Sequence, residues 1–223
     1  MDHDEGSILP VVMTTGGMRT VTLGLGCFWS PEALFGSMSG VVATRVGYAG
    51  GTTESPSYRE MGDHSETVEV DFEPDRIGLD ELLRAFWRHH NPDNINDYKG
   101  RQYRSMALYR DEVQSQTIRR VKHEIEREKG QPLNTEIAPY SIFYPAEERH
   151  QKYYLKRYPD AIRRLSSLYP STKDLDDSTL AARLNGLAKG YTNLEPIRQE
   201  IRSWPIPQSD RERIDECIRQ IRW

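Results

Sequence analysis

Residues 66–72, ETVEVDF, alternate strictly, with Val68, Val70 and Phe72 on one face and Thr67, Glu69 and Asp71 on the other. A period of two marks a strand with one face toward a core, so this segment is expected to be half buried. Two β-branched runs, TVTLGL and GVVATRVGYAGG, read as strands ending in glycine, and SMALYR supplies another. Between the first two, Ser30 and Pro31 open a helix expected over residues 31–39, because serine is a favoured N-cap and proline fits the first helical position. The first glycine of the second run closes that helix. The spacing of Leu82, Leu83, Phe86 and Trp87 predicts a helix over residues 79–90 whose apolar stripe covers the sheet. Asp111 and Gln114 approximate a capping box ahead of a helix reaching about Lys129, with Ile118, Val121 and Ile125 on its apolar face. Residues 134–158 add a strand and a helix. From Pro159 the pattern changes to three charged helical segments broken by YPS, KGYTN and WPIPQ, with no strand signal. Residues 1–17 carry turn formers and no sustained period. The expected architecture is α+β: a two-layer α/β sandwich over residues 18–158, preceded by a tail over 1–17 and followed by a helical C-terminal extension over 159–223.

Composition narrows the class of protein. A chain of 223 residues with 36% hydrophobic content can bury one sizeable core. Apolar runs such as ILPVVM are far shorter than the roughly 20 residues that span a bilayer, and MDHDEG lacks the basic-then-apolar order of a signal peptide. No membrane association is expected, and a cytoplasmic setting is the default. Thirty basic against thirty-four acidic residues leave a net charge of -4, with arginines interleaved among acids rather than gathered in blocks, so nucleic acid is not an expected partner. Two cysteines, Cys27 and Cys217, cannot build a disulfide framework.

Cys27 lies in GLGCFWS, where a strand gives way to a helix. Unpaired N–H groups and the helix dipole favour a thiolate there, which would make Cys27 a nucleophile; the alternative is a small buried hydrophobe. Phe28 and Trp29 beside it could wall an apolar pocket for a methyl or thioether group. Glu66 is in phase with Val68 and Val70, so its carboxyl is expected to be partly desolvated and able to donate a proton as a general acid. The other reading puts Glu66 in solvent at a fraying strand end. Tyr48, Tyr58, Tyr98 and Tyr103 all lie in segments rich in turn residues, where a phenol is available for chemistry. His64 and Glu66 are spaced HxE and His89 adjoins His90, yet no Cys or His pair has structural-zinc spacing, so no metal is expected. GLGCFW lacks the third glycine of a dinucleotide fingerprint, and GYAGG lacks the lysine of a phosphate loop.

The ordered series GCFW, VGYAGG, SPSYRE, HSETVEVDFEP, LLRAFWRHHNP, ND with RQYRS, TEIAP and FYPAEERHQKYY resembles the A-class peptide methionine sulfoxide reductases over roughly residues 20–158. The resemblance implies an α/β core of the ferredoxin-like, split βαβ type. It also implies thiol-dependent reduction of methionine-S-sulfoxide, free or in proteins, with no bound cofactor and an external thiol such as thioredoxin as reductant. By the same resemblance Cys27 attacks the sulfoxide sulfur and becomes a sulfenic acid, Phe28 and Trp29 hold the S-methyl group, and Glu66 protonates the oxygen. Tyr58 and Tyr103 hydrogen-bond that oxygen, and Asp97 orders water. Four departures stand out: GCFWS for the usual GCFWG, the shortened loop REMGDHS, Asn91 in HNP for HDP, and NDYKGRQYRS, with an added residue and Arg101 for threonine.

Two other functions stand as alternatives: a thiol peroxidase that uses Cys27 against peroxide, and a non-catalytic binder of oxidised methionine through Phe28 and Trp29, which would need neither Cys27 nor Glu66. Cys217 is the one internal candidate for resolving a sulfenic acid on Cys27. In RIDECIRQIRW it is in helical phase with Ile214, Ile218 and Ile221, which instead favours a thiol packed on an apolar stripe.

Overall fold

The computed structural model describes residues 9–14, 17–96, 98 and 100–223. One sheet contains β1 (Arg19–Gly24), β2 (Val41–Ala49), β3 (Ser65–Phe72), β4 (Met106–Tyr109), β5 (Glu136–Pro139) and β6 (Phe143–Pro145), in the order β5-β4-β1-β3-β2-β6. β4 and β5 run parallel and every other pair is antiparallel. α1 (Trp29–Gly36) joins β1 to β2 across β3, and α2 (Leu79–Arg88) with the short α3 (Pro92–Ile95) joins β3 to β4 across β1. The molecule is thus a mixed α/β fold.

The main core fills one face of this sheet. Val21, Leu23, Val68 and Val70 pack against Leu82, Leu83, Phe86 and Trp87 of α2 and against Ile118 and Val121 of α4 (Glu112–Lys129). α4 starts where the sequence signals it: Asp111 accepts from the Gln114 N–H at 2.7 Å. It ends on Gly130 in the left-handed region, at φ 66°.

β3 departs from its expected half-burial, since all eight of its residues are buried. It is a central strand between β1 and β2, and its polar face is roofed by ion pairs. Arg45 reaches Asp71 at 2.6 Å, Arg110 pairs with Glu69, and Thr20 donates to Asp71 at 2.6 Å. α1 also differs. It begins at Trp29 after an N-cap Phe28 that makes no side-chain cap, and Ser30 instead hydrogen-bonds the Tyr154 hydroxyl at 2.8 Å. Residues 134–158 hold two short strands and two 3-10 turns, Glu148–His150 and Leu155–Arg157, in place of one strand and a helix. Tertiary bonds override helix propensity in this stretch: Gln151 pairs its amide with both backbone groups of Val46, and Lys152 takes a φ of 50°.

Lys152 and Glu32 form the most enclosed ion pair in this part of the molecule. Their side chains are 1% and 0% exposed, with Nζ 2.7 Å from Oε1. The Lys152 N–H donates to Glu32 Oε2 at 2.8 Å, and Nζ also donates to the Thr44 carbonyl at 2.7 Å. Burial pushes the Glu32 carboxyl up and the Lys152 charge opposes it. One contact therefore ties α1, β2 and the 146–154 segment together.

The region after Tyr158 contains five helices: α5 (Pro159–Leu165), α6 (Thr172–Asp176), α7 (Thr179–Lys189), α8 (Leu194–Ile201) and α9 (Gln208–Arg219). The expected breaks at YPS, KGYTN and WPIPQ fall between them; a further one falls at Ser178, whose Oγ caps α7 by accepting from the Ala181 N–H at 3.0 Å. These helices enclose a second core that includes Leu180, Leu184, Ile197, Ile214 and Ile218. Leu9 and Met13, from the segment expected to be a tail, are buried in it, and Thr179 bonds the backbone at both Val11 and Met13. α7 lies directly on α1. A β-carbon on Gly36 would come within 2.6 Å of the Ala182 carbonyl oxygen, and one on Gly186 within 2.6 Å of the Ser37 β-carbon. Beside this contact the buried Arg183 donates to the Gly36 and Val41 carbonyls, both at 2.7 Å, and forks onto Glu200.

Lys152→Met removes one partner of the buried pair and leaves the Glu32 carboxyl stranded. Urea unfolding should show a loss of about 3–5 kcal/mol. The double replacement Glu32→Leu with Lys152→Met should lose distinctly less.

Candidate active site

Cys27 occupies the turn between β1 and α1, one residue ahead of the N-cap Phe28. The residue is exposed, but its thiol sits in a partly enclosed position. Burial raises its pKa above the ordinary thiol value; the Trp29 N–H works against this rise and the nearby Glu66 charge adds to it. The helix N-terminus was expected to favour the thiolate outright. In the structure its contribution is outweighed by desolvation and by a carboxylate.

Glu66 is buried at 1% exposure, which excludes the solvent-facing alternative. Its Oε2 accepts from the Phe28 N–H at 3.1 Å and its Oε1 from Gln102 Nε2 at 2.8 Å. The carboxyl is thereby anchored to the residue that follows the nucleophile candidate. Tyr58 and Tyr103 hydrogen-bond one another. Both phenols are held above their usual range, first by desolvation and then by the charge of Glu66 and that of Cys27. A thiol, a carboxyl and two hydroxyls thus converge on one place.

Phe28 is fully buried, in a cluster with Val46, Tyr48 and Ala146 that Trp29, Tyr58 and Met61 border. Trp29 is half buried. Its indole N–H donates to His150 Nδ1 at 3.2 Å, and its ring stacks on Tyr153 at 3.8 Å with 5° between planes. Tyr48, a candidate phenol, is buried and donates a hydrogen bond to Glu147 Oε2 at 2.6 Å. Tyr98 is 62% exposed and stacks on Tyr103 at 6.0 Å. Asp97 lies outside the described residues. Cys217 is not brought to this cluster; it is a free, half-buried thiol on α9, packed against the second core and raised in pKa by burial.

Several contributors carried no periodic signal. His150 stacks on Tyr58 at 4.7 Å and touches Phe28 and Trp29, and burial pushes its pKa down, which favours a neutral ring. Glu147 accepts from both Tyr48 and the Tyr58 N–H. Gln102, between Arg101 and Tyr103 in RQYRS, carries no signal of its own and yet its amide holds Glu66. Arg101, which replaces the family's threonine, bonds the Asp63 and Gly50 carbonyls and pairs with Glu136, so it braces the turn Arg101–Tyr103 against the short loop. That loop is folded on Asp63, which accepts from the N–H and hydroxyl groups of Thr52 and Thr53 and lies well below the usual carboxylate range. The turn is anchored on its other side too. Ser105 accepts or donates in bonds to His90 and Thr135, and its N–H reaches Asn96. Burial drives His90 down to about 4.

His64 is committed to this loop, through the Gly51 N–H and the Thr53 carbonyl. Among the described residues no group of three His, Cys, Asp or Glu side chains could hold a metal ion, and no helix is long and apolar enough to cross a membrane.

The sequence profile described as peptide methionine sulfoxide reductase matches residues 19–179. The chain belongs to that family. The reductase is 41% identical over 212 residues to the peptide methionine sulfoxide reductase of Drosophila melanogaster, across 95% of this chain and 85% of the other. It is 42% identical over 155 residues to the enzyme of Geobacter metallireducens, across 64% of this chain and 94% of that one. Among solved structures, methionine sulfoxide reductase A of Corynebacterium diphtheriae aligns with a TM-score of 0.55 at 32% identity, covering 66% of this chain and 78% of that one. The reductase is accordingly an oxidoreductase that reduces methionine sulfoxide with thiols, and neither the peroxidase nor the pure binder is favoured.

The raised thiol of the free reductase carries a pH consequence. A protonated Cys27 alkylates slowly, and its labelling by iodoacetamide should climb with pH through a midpoint above the ordinary value of about 8.5. Glu66→Gln removes one of the charges that oppose the thiolate. The midpoint should then fall, as read by mass spectrometry of the Cys27 peptide.

Proposed function

We propose that Cys27 is the nucleophile of this reductase and that Glu66 is its general acid. The observation that carries the reading is the Glu66 carboxyl, buried and hydrogen-bonded to the Phe28 N–H, with its charge felt by Cys27, Tyr58 and Tyr103. The Cys27 thiolate attacks the sulfoxide sulfur while Glu66 delivers a proton to the oxygen. Tyr58 and Tyr103 hydrogen-bond that oxygen as negative charge gathers on it. Attack forms a bond between Cys27 Sγ and the substrate sulfur as the S–O bond breaks and the twice-protonated oxygen leaves as water. A water then attacks Sγ, the S–S bond breaks with its electron pair going to the departing methionine, and Cys27 is left as a sulfenic acid with one proton released.

Desolvation and a carboxylate make the resting thiol weakly acidic, and this fits the scheme. Once Glu66 is protonated its charge no longer opposes the thiolate, so the acid and the nucleophile favour each other's reactive forms. Phe28 and Trp29 form the apolar wall for the S-methyl group. Asp97 is assigned the ordering of water by resemblance alone. The substrate is methionine-S-sulfoxide, free or protein-bound, and the setting is cytoplasmic. Domain limits of 18–158 for the catalytic part and 159–223 for the extension go with this reading. So does a ferredoxin-like core, supported by the antiparallel order β4-β1-β3-β2 with its two crossovers.

The sulfenic acid is cleared in two steps. A first thiol displaces water to give a mixed disulfide, and a second, from a thioredoxin-type protein or a small thiol, releases Cys27. Cys217 on its helix has no part in this.

Cys27→Ser should abolish turnover, because a hydroxyl supplies no anion near neutral pH. Glu66→Gln should slow sulfenic acid formation by about 10²–10⁴-fold in single-turnover assays with resolved sulfoxide epimers. A wild-type rate would assign the proton to another group. Cys217→Ser should retain multiple turnovers with thioredoxin or a small thiol, and a dominant Cys27–Cys217 disulfide after one equivalent of sulfoxide would overturn the assignment of external reduction.

A further inference from the structure

The family profile ends at residue 179, the first residue of α7, yet the next two turns of that helix reach the neighbourhood of the substrate pocket. Asn185 is fully buried, and its Oδ1 accepts from the N–H groups of Tyr154 and Leu155 at 3.1 and 3.0 Å. Its Nδ2 has no hydrogen-bond partner among the described residues, so the acceptor oxygen is what the position uses. The two N–H groups open the turn Leu155–Arg157, and without Asn185 Oδ1 the buried Leu155 N–H would lose its acceptor.

Fixing this backbone fixes the residues on either side of it. Tyr153 is held flat against Trp29 at 3.8 Å, and the Tyr154 hydroxyl meets Ser30, the residue after Trp29, at 2.8 Å. On the other flank Lys189 of α7 stands 4.8 Å from the Tyr154 ring. The rest of α7 cannot slide to accommodate a shift, because Gly36 and Gly186 leave no room between it and α1.

We infer that Asn185 is a positioning residue for the reductase pocket: acting through the backbone at 154–155 and the Tyr153 ring, it sets the orientation of the Trp29 wall. The C-terminal extension is then a working part of substrate binding. This inference rests on the reading of Trp29 as that wall.

A double-mutant cycle separates the two. Asn185→Ala should raise KM for a sulfoxide peptide by about three- to tenfold, the range expected for an aromatic pair, with kcat changed less than about twofold. Asn185→Asp, which keeps the acceptor oxygen, should restore KM. In a Trp29→Ala background Asn185→Ala should add nothing, because its effect passes through the missing ring. Tyr153→Ala, at a half-buried position, should give the same rise and the same loss of additivity. It tests the last link of the path, the Tyr153 ring on Trp29, and an unchanged KM there overturns the inference even if Asn185→Ala fails to fold. If Trp29→Ala leaves KM unchanged, the reading of Trp29 fails and the inference falls with it. If Trp29→Ala raises KM while the Asn185 and Tyr153 variants do not, or act additively with it, the role of Asn185 alone is overturned.

Discussion

The arrangement of this molecule hangs on a lysine and a glutamate removed from water together. Neither Lys152 nor Glu32 would be tolerated alone in that environment, since an unpaired buried charge is among the most costly features a fold can contain. Their pairing constrains three elements at once. Glu32 lies in the first turn of α1, Lys152 bends the 146–154 segment through a left-handed backbone conformation, and Thr44 supplies a carbonyl from β2. His150 and Tyr153 flank Lys152 in sequence, so their stacking on Tyr58 and Trp29 follows from where the pair must sit.

Around Cys27 the balance of effects is opposite to the familiar one for reactive cysteines. A helix N-terminus offers N–H groups, but partial burial and an adjacent carboxylate outweigh them. A thiol that rests protonated is a poor target for stray oxidants and electrophiles. Under the proposed scheme its activation depends on the proton that Glu66 delivers, which would tie reactivity to a substrate able to take that proton. The phenols of Tyr58 and Tyr103 share the same field, and both stay protonated donors over the whole physiological range.

Most of the core was legible because short-range patterns reported it: alternation in β3, the 82–87 stripe of α2, and Asp111 and Gly130 at the ends of α4. The ordered motif series identified the family and pointed to Cys27, Glu66, Tyr58 and Tyr103, which the fold brings together. What escaped was set by distant partners. Ser30 looks like an N-cap until Tyr154 claims its hydroxyl, and residues 146–157 look helical until Val46, Glu32 and Asn185 take up their backbone and side-chain groups. Leu9 and Met13 carry no period, because a segment that supplies two anchors to a helical bundle needs none. His150 and Gln102 act through single contacts, which no repeat in the chain announces.

Arg183 sits 147 positions from the Gly36 carbonyl that it closes, and the glycine contact between α1 and α7 spans a similar stretch of chain. Contacts of such long sequence separation form late, since the loop between them must be ordered before they repay it. During synthesis the helix that follows Cys27 leaves the ribosome well before its partner, by several seconds to half a minute at roughly 5–20 residues per second. Over that interval α1 has no cover on its Gly36 side and its last carbonyl lacks its guanidinium. The nascent enzyme is therefore built in an order that leaves its reactive centre unfinished until the extension has been made and has docked, so that competence for chemistry arrives as one of the final events of folding.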